Sequence, residues 1–82
     1  MTLSQLTRQV REVLKEVDTL RIKSDAYIGC CEIRLANEAA VDTAMTALRN
    51  AGLPCKKVGW FENLGYWLVG AARPEDYPHS AQ

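Results

Sequence analysis

Three cysteines and a single histidine are the side chains in this sequence best suited to bind a metal or attack a substrate. A zinc-type site needs three or four such ligands that converge on one point. Cys30 and Cys31 are adjacent within a predicted strand, so their side chains point to opposite faces, and His79 belongs to a predicted tail. The sequence therefore predicts neither a metal site nor a bound cofactor.

Catalytic constellations are also missing from the pattern. A cysteine nucleophile needs a neighbouring base or cation to lower its thiol pKa, and no histidine falls in a predicted helix or strand. The segment GLPCKKVG (52–59) lacks the spacing of a phosphate-binding loop. The carboxylates lie scattered over predicted polar helix faces and turns, at Glu12, Glu16, Asp42 and Glu62. We therefore expect a protein that is not an enzyme.

The strongest local concentration of unusual residues is aromatic. Four of the six aromatic side chains, Trp60, Phe61, Tyr66 and Trp67, lie within the segment GWFENLGYWLVGA. Such residues can form a core, a platform on which nucleic-acid bases stack, or a surface that binds another protein. Which of these uses applies depends on the helices and strands that hold the four aromatic residues.

Length and composition limit those elements. Eighty-two residues suffice for one domain, and ten basic residues balance ten acidic ones, so no net charge attracts nucleic acid or a membrane over long range. No leader-like segment follows Met1, and no stretch approaches the ~20 apolar residues of a membrane span. An odd number of cysteines fits a reducing compartment. We expect a cytoplasmic protein with no membrane partner.

The N-terminal segment has the apolar spacing of a helix. Thr2 followed by Gln5 is typical of a capping box, in which two side chains satisfy free amide groups of the first turn. Apolar residues recur at three- and four-residue steps and predict one buried stripe. The stripe consists of Leu3, Leu6, Val10, Val13 and Val17, with Leu14 widening it.

Two strands are predicted next. Apolar and basic residues alternate over 20–23, and Ser24-Asp25 supply a turn. The segment AYIGCCEIRL (26–35) is rich in β-forming residues and predicts a second strand. The better core face of that strand holds Tyr27, Cys31, Ile33 and Leu35.

A second helix and two more strands complete the chain. Asn37 suits the helix N-cap, and Gly52 followed by Pro54 ends the helix. Its apolar positions are Val41, Ala44, Met45 and Leu48. The strands CKKVGWF and YWLVGA follow, joined by the loop ENLG.

The resulting order, αββαββ, predicts an α+β two-layer sandwich in which two helices cover one face of a four-stranded antiparallel sheet. This order is a cyclic permutation of the ferredoxin-like arrangement, in which the second and fourth strands here would be central. We expect a single domain over 1–73 and an extended or disordered tail over 74–82, which has two prolines and no periodicity.

The register of the last hairpin determines the face of the sheet on which each aromatic residue lies. If residues 62–65 form a four-residue loop, Phe61 lies opposite Tyr66 and Trp60 lies opposite Trp67. The two tryptophans then belong to the face beneath the helices, which predicts that both are core. Their companions on that face would be Val58, Val69 and Ala71. A one-residue slip in register would exchange the two faces.

The other face of the predicted sheet has no helix to cover it. It mixes apolar, aromatic and basic side chains, and large apolar patches seldom stay exposed on soluble proteins without a use. A few exposed apolar side chains are also ordinary on such a sheet, so an inert face is the alternative. The residues predicted to bind a partner are Arg21, Lys23, Ile28, Arg34, Lys57, Phe61, Tyr66 and Leu68.

These features favour a non-catalytic module that binds protein. Self-association through the uncovered face, as a two-fold dimer, is the simplest form. Another form is a small inhibitor or adaptor that docks on a larger complex; phage and mobile-element proteins that block defence nucleases such as CRISPR complexes are analogous in size and simplicity.

Binding of single-stranded RNA or DNA is the alternative function. Basic residues around Phe61 and Tyr66 are similar in outline to sheets on which bases stack. The neutral net charge, Glu32 within the patch and the absence of the aromatic signature of RNA-recognition motifs weigh against it. We therefore place nucleic acid second, after a protein partner.

Overall fold

A computed structural model describes residues 1–76 and shows the predicted α+β two-layer sandwich, with a four-stranded antiparallel sheet and two helices. The elements are α1 (Leu3–Val13), β1 (Arg21–Asp25), β2 (Cys30–Leu35), α2 (Glu38–Asn50), β3 (Cys55–Phe61), β4 (Tyr66–Ala71) and one turn of 3-10 helix at Pro74–Asp76.

Both helices begin at the caps that the sequence predicts. The amide of Gln5 donates to Thr2 Oγ1 at 3.1 Å and the amide of Thr2 donates to Gln5 Oε1 at 2.7 Å, which completes the capping box of α1. Asn37 Oδ1 accepts the amide of Ala40 at 2.8 Å and caps α2. Within the described chain, neither helix is long and apolar enough to cross a membrane.

The strand order is β1-β2-β4-β3, so the second and fourth strands are central, as predicted. Both helices pack on the same face of the sheet, with α1 over β1 and β2 and α2 over β3 and β4. The core is built from alternate residues of the central strands and from the apolar stripes of the helices. Its fully buried members include Leu6, Val10, Leu14, Ile33, Leu35, Val41, Leu48 and Val69.

The turn between β1 and β2 lies later in the sequence than predicted. Asp25 Oδ1 accepts the amide of Tyr27 at 3.0 Å, and Gly29 has a φ of 72°, so residues 26–29 form a turn and β2 begins at Cys30. The Tyr27 side chain is 97% exposed, and its predicted place on the core face is wrong. A side-chain hydrogen bond from one aspartate thus outweighs the β-propensity of the residues that follow it.

The C-terminal part of the described chain folds back toward the N-terminus. Arg73 Nε donates to Asp76 Oδ2 at 2.7 Å, and the amino group of Met1 forms an ion pair with Glu75. The predicted tail (74–82) therefore begins with an ordered turn. Residues 77–82, with His79, lie outside the described residues.

Candidate functional site: the open face of the sheet

The face of the sheet opposite the helices carries the strand residues that do not enter the core. The register of the three strand pairs assigns each of them. We call this surface the open face. Its members are Arg21, Lys23 and Asp25 of β1, Cys30, Glu32 and Arg34 of β2, Tyr66, Leu68 and Gly70 of β4, and Lys56, Val58, Gly59 and Phe61 of β3.

The β3–β4 hairpin has the register that the sequence predicts at its closed end. Phe61 pairs with Tyr66, and Trp60 pairs with Trp67. Gly65 closes the loop with a φ of 74°, and its amide donates to the carbonyl of Phe61 at 2.7 Å. The prediction that each aromatic pair shares one face of the hairpin is confirmed.

Three side chains of the open face stack into one row across three strands, which we call the aromatic ridge: Arg34, Tyr66 and Phe61. The guanidinium carbon of Arg34 lies 4.8 Å from the centroid of the Tyr66 ring. On the other side, the Phe61 ring stacks on Tyr66 with centroids 5.8 Å apart and planes 21° apart. Because β4 lies between β2 and β3, Tyr66 has Arg34 on one side and Phe61 on the other.

A bulge in β3 places two residues on the opposite face of the sheet from the one predicted. Lys57 pairs with Val69 and Gly59 pairs with Leu68, so Val58 is the extra residue in β3. Gly59 has a φ of 143°, a conformation that other residues rarely adopt. Val58 is consequently 51% exposed on the open face, and its predicted place in the core is wrong.

Lys57 lies on the helical side of the sheet. Its ammonium group is 3.3 Å from Glu38 Oε2 and 5.5 Å from the centroid of the Trp67 ring. The prediction that Lys57 belongs to the open face is therefore wrong, because the bulge reverses the alternation that the prediction assumed.

The two tryptophans differ in burial. Trp67 packs against the core, as predicted, but Trp60 is 46% exposed. Lys57 already contacts Glu38, the first residue of α2, so Trp60 lies farther along the edge strand than the helix reaches. The prediction that both tryptophans are core holds for Trp67 and is wrong for Trp60.

The remaining predicted binding residues lie around the ridge. Leu68 pairs with Arg34, beside the ridge. Arg21 and Lys23 lie on the β1 edge, where the ammonium of Lys23 is 3.5 Å from Glu32 Oε2. Ile28 is 61% exposed but belongs to the β1–β2 turn instead of a strand, so it lies at the rim of the face.

A groove of about 420 Å³ occupies the end of the open face away from the ridge. We call it the glycine groove; Gly70 forms its floor, and Cys30, Lys56 and Val58 line it. Because Gly70 has no side chain, the sheet surface is recessed there. The sequence pattern does not predict this groove, and the isolated Gly59 within a strand is the signal that would have indicated the bulge behind it.

All three cysteine thiols have a pKa above the ordinary value. Burial, together with the charges of Asp25 and Glu32, raises the pKa of the Cys30 thiol. Burial also raises the pKa of Cys55 and of Cys31. A high thiol pKa disfavours the thiolate that a nucleophile or a metal ligand requires. No three metal-binding side chains cluster anywhere in residues 1–76.

No protein-family model, curated protein or solved structure matches this chain. Its function is therefore argued from the contacts, shape and charge of the open face.

Proposed function

We propose that this protein is a non-catalytic module that binds another protein surface through the open face of its sheet. The observation that carries the proposal is the aromatic ridge, in which Tyr66 is held between the Arg34 guanidinium and the Phe61 ring. Tyrosine and arginine are the residue types most enriched among side chains that dominate protein–protein binding energy.

The order within the ridge supports this role. Side chains that become ordered only on binding cost about 0.5–1.5 kcal/mol each, and stacking contacts already present in the free protein reduce this cost. The ridge adjoins exposed apolar surface, since Phe61 is 37% exposed and Val58 is 51% exposed. A rigid aromatic centre beside apolar surface is typical of the core of a protein interface.

Charged residues surround this centre. The open face holds four basic and two acidic side chains, and one pair of them, Lys23 and Glu32, is already close enough for an ion pair. Interfaces commonly have such a polar rim, which adds specificity more than affinity.

Single-stranded nucleic acid is the second candidate, supported by the excess of basic side chains on the open face. Base stacking needs an aromatic ring with a free flat face. Arg34 and Phe61 both contact Tyr66 within the protein, which leaves less of its ring for a base to stack on. The ridge therefore favours a protein partner.

Inhibition of a larger complex is a specific form of this proposal. It depends on the small size of the chain, and no contact among residues 1–76 identifies such a complex.

The proposal is tested by capture with matched variants of the full chain. We expect Phe61→Ala and Tyr66→Ala to weaken both self-association and the capture of host proteins by about tenfold or more, because each removes part of the ridge. Lys57→Ala and Thr46→Ala are the controls, since Lys57 faces the helices and Thr46 lies on the exposed surface of α2. Circular dichroism reports folding of each variant. If the two ridge variants bind as well as wild type, the open face is not the binding surface.

Titration of labelled single-stranded RNA and DNA at two salt concentrations tests the second candidate. A basic face that binds the phosphate backbone loses affinity steeply as salt increases. Tight binding of this kind, lost in Phe61→Ala, would favour nucleic acid over protein.

A further inference from the structure

We propose that the open face binds an acidic segment of a partner protein, and that Arg21 and Arg34 form the pair of side chains that binds its carboxylate groups. The proposal rests on the proposed function and adds to it the chemical class of the partner. It is carried by two arginines that lie directly opposite each other on neighbouring strands and that no acidic side chain among residues 1–76 neutralises.

The arginine pair is an unfavourable arrangement in the unbound protein. Arg21 of β1 pairs with Arg34 of β2, and opposite side chains of antiparallel strands have Cβ atoms about 4.5–5.5 Å apart, where like charges destabilise the sheet. A carboxylate placed between the two guanidinium groups relieves this repulsion and accepts charge-assisted hydrogen bonds. Nε of Arg34 is buried, whereas the residue as a whole is partly exposed, so a partner would contact its terminal nitrogens.

The acidic side chains of the open face are already engaged. Glu32 Oε2 lies 3.5 Å from the ammonium of Lys23, and Asp25 Oδ1 accepts a backbone amide of the following turn at 3.0 Å. The open face therefore has a surplus of positive charge that attracts acidic groups. The basic side chains of this face that have no carboxylate partner among residues 1–76 are Arg21, Arg34 and Lys56.

Apolar surface separates the arginine pair from Lys56. Leu68 and Gly70 of β4 lie between them, and the glycine groove opens beside Lys56. Arg34 and Lys56 are two strands apart and offset by two residues, which places their backbones about 12 Å apart. An extended segment advances about 3.3 Å per residue, so two acidic side chains four positions apart, with an apolar side chain midway, match this spacing.

Other occupants fit the charge of the open face less well. A second copy of the chain presents the same surplus of positive charge, so self-association through this face is expected only in concentrated samples. A nucleic-acid strand carries a phosphate at every nucleotide, whereas Glu32 lies on the open face beside Gly70 and repels phosphates. A protein segment with a few spaced carboxylates avoids both conflicts.

Selection of peptides from a random display library on the full chain tests the class of partner. We expect the enriched peptides to combine aspartate or glutamate with apolar residues. The double variant Arg21→Gln with Arg34→Gln should lose this enrichment. The matched control is Arg8→Gln with Arg49→Gln, since both arginines are exposed on the helices. Circular dichroism reports the folding of each variant.

The affinity of one enriched peptide, measured by fluorescence anisotropy, tests the contacts. Replacing its acidic residues by their amides, or using the double variant, should raise the dissociation constant by about tenfold or more. Arg21→Gln alone should raise the melting temperature of the unbound chain by a few degrees, because it removes one of two like charges that face each other. A fall in the melting temperature would indicate a structural role for Arg21 and contradict the proposal.

The outcomes separate this proposal from the proposed function. If no peptide is enriched, if the enriched peptides lack acidic residues, or if the double variant binds them as wild type does, the acidic-segment proposal is wrong. The open face remains a binding surface in those cases when Phe61→Ala weakens the binding that is observed. Single-stranded RNA or DNA that binds more tightly than the peptide, and fails to bind the double variant, would assign the face to nucleic acid. If Phe61→Ala and Tyr66→Ala change no binding at all, both proposals are wrong.

Discussion

At the scale of single residues, the face of the sheet on which a side chain lies determines what that side chain contacts. Lys57 and Val58 are neighbours, yet Lys57 contacts Glu38 on the helical side and Val58 lines the groove on the open face. Exposed lysine–carboxylate pairs of this kind contribute about 0–1 kcal/mol to stability. Lys57 therefore has a minor structural role, and Lys56 and Val58 take its predicted place on the open face.

The buried thiol of Cys31 predicts a dependence of stability on pH. Burial raises the pKa of this thiol in the folded protein, whereas the unfolded chain ionises near the ordinary value of about 8.5. The folded state thus keeps its proton to higher pH than the unfolded state does. The free energy of unfolding should fall as pH rises above that value, by at most about 1.4 kcal/mol per pH unit for this group.

Cys31→Val is the variant that isolates this effect, because valine keeps an apolar side chain in the core and has no proton to lose. Urea unfolding at neutral and at alkaline pH measures the change. We expect the variant to lose less stability than wild type between the two. Equal losses would show that the Cys31 thiol does not contribute.

At the scale of elements, the bulge in β3 is the feature that determines which β3 residues lie on the open face. It moves Val58 to the open face and Lys57 to the helical side. Gly59, with a φ of 143°, permits this backbone. Placing another residue type in so sparsely populated a conformation costs of the order of 1–3 kcal/mol.

Gly59→Ala should therefore lower the free energy of unfolding by roughly 1–3 kcal/mol. Gly70→Ala is the matched control on the same face, because its φ is not positive and its added Cβ meets only Cys30 Sγ at 4.0 Å. Chemical denaturation of both variants is the measurement. If the two substitutions cost the same, the strain at Gly59 is not what maintains the bulge.

The same element shows what could be predicted from sequence. Both helices, their caps at Thr2 and Asn37, and the hairpin pairing of Trp60 with Trp67 follow from local patterns, and the structure confirms them. Local rules succeed there because each cap or turn involves residues close in the chain. The face of the sheet on which Lys57 and Val58 lie depends on how β3 pairs with β4. The alternation of residues along a single strand does not reveal that pairing.

At the scale of the whole molecule, two helices cover one face of the sheet and leave the other face without a helix over it. Trp67 is partly buried against the core and Trp60 is exposed, so the cover that α2 provides ends between them. The open face then combines a ridge, a groove and paired charges of opposite sign within four strands. This combination is why we place the binding surface on the sheet and not on the helices.

Hydroxyl-radical footprinting of the full chain, read by mass spectrometry, tests this account most directly. Dilute and concentrated samples are compared, with Arg8 of α1 and Arg49 of α2, both exposed on the helices, as internal controls. We predict that labelling of Phe61, Tyr66 and Val58 falls in the concentrated sample while that of the controls is unchanged. Equal labelling of those three residues in both samples, or protection that appears on the helices instead, would contradict self-association through the open face.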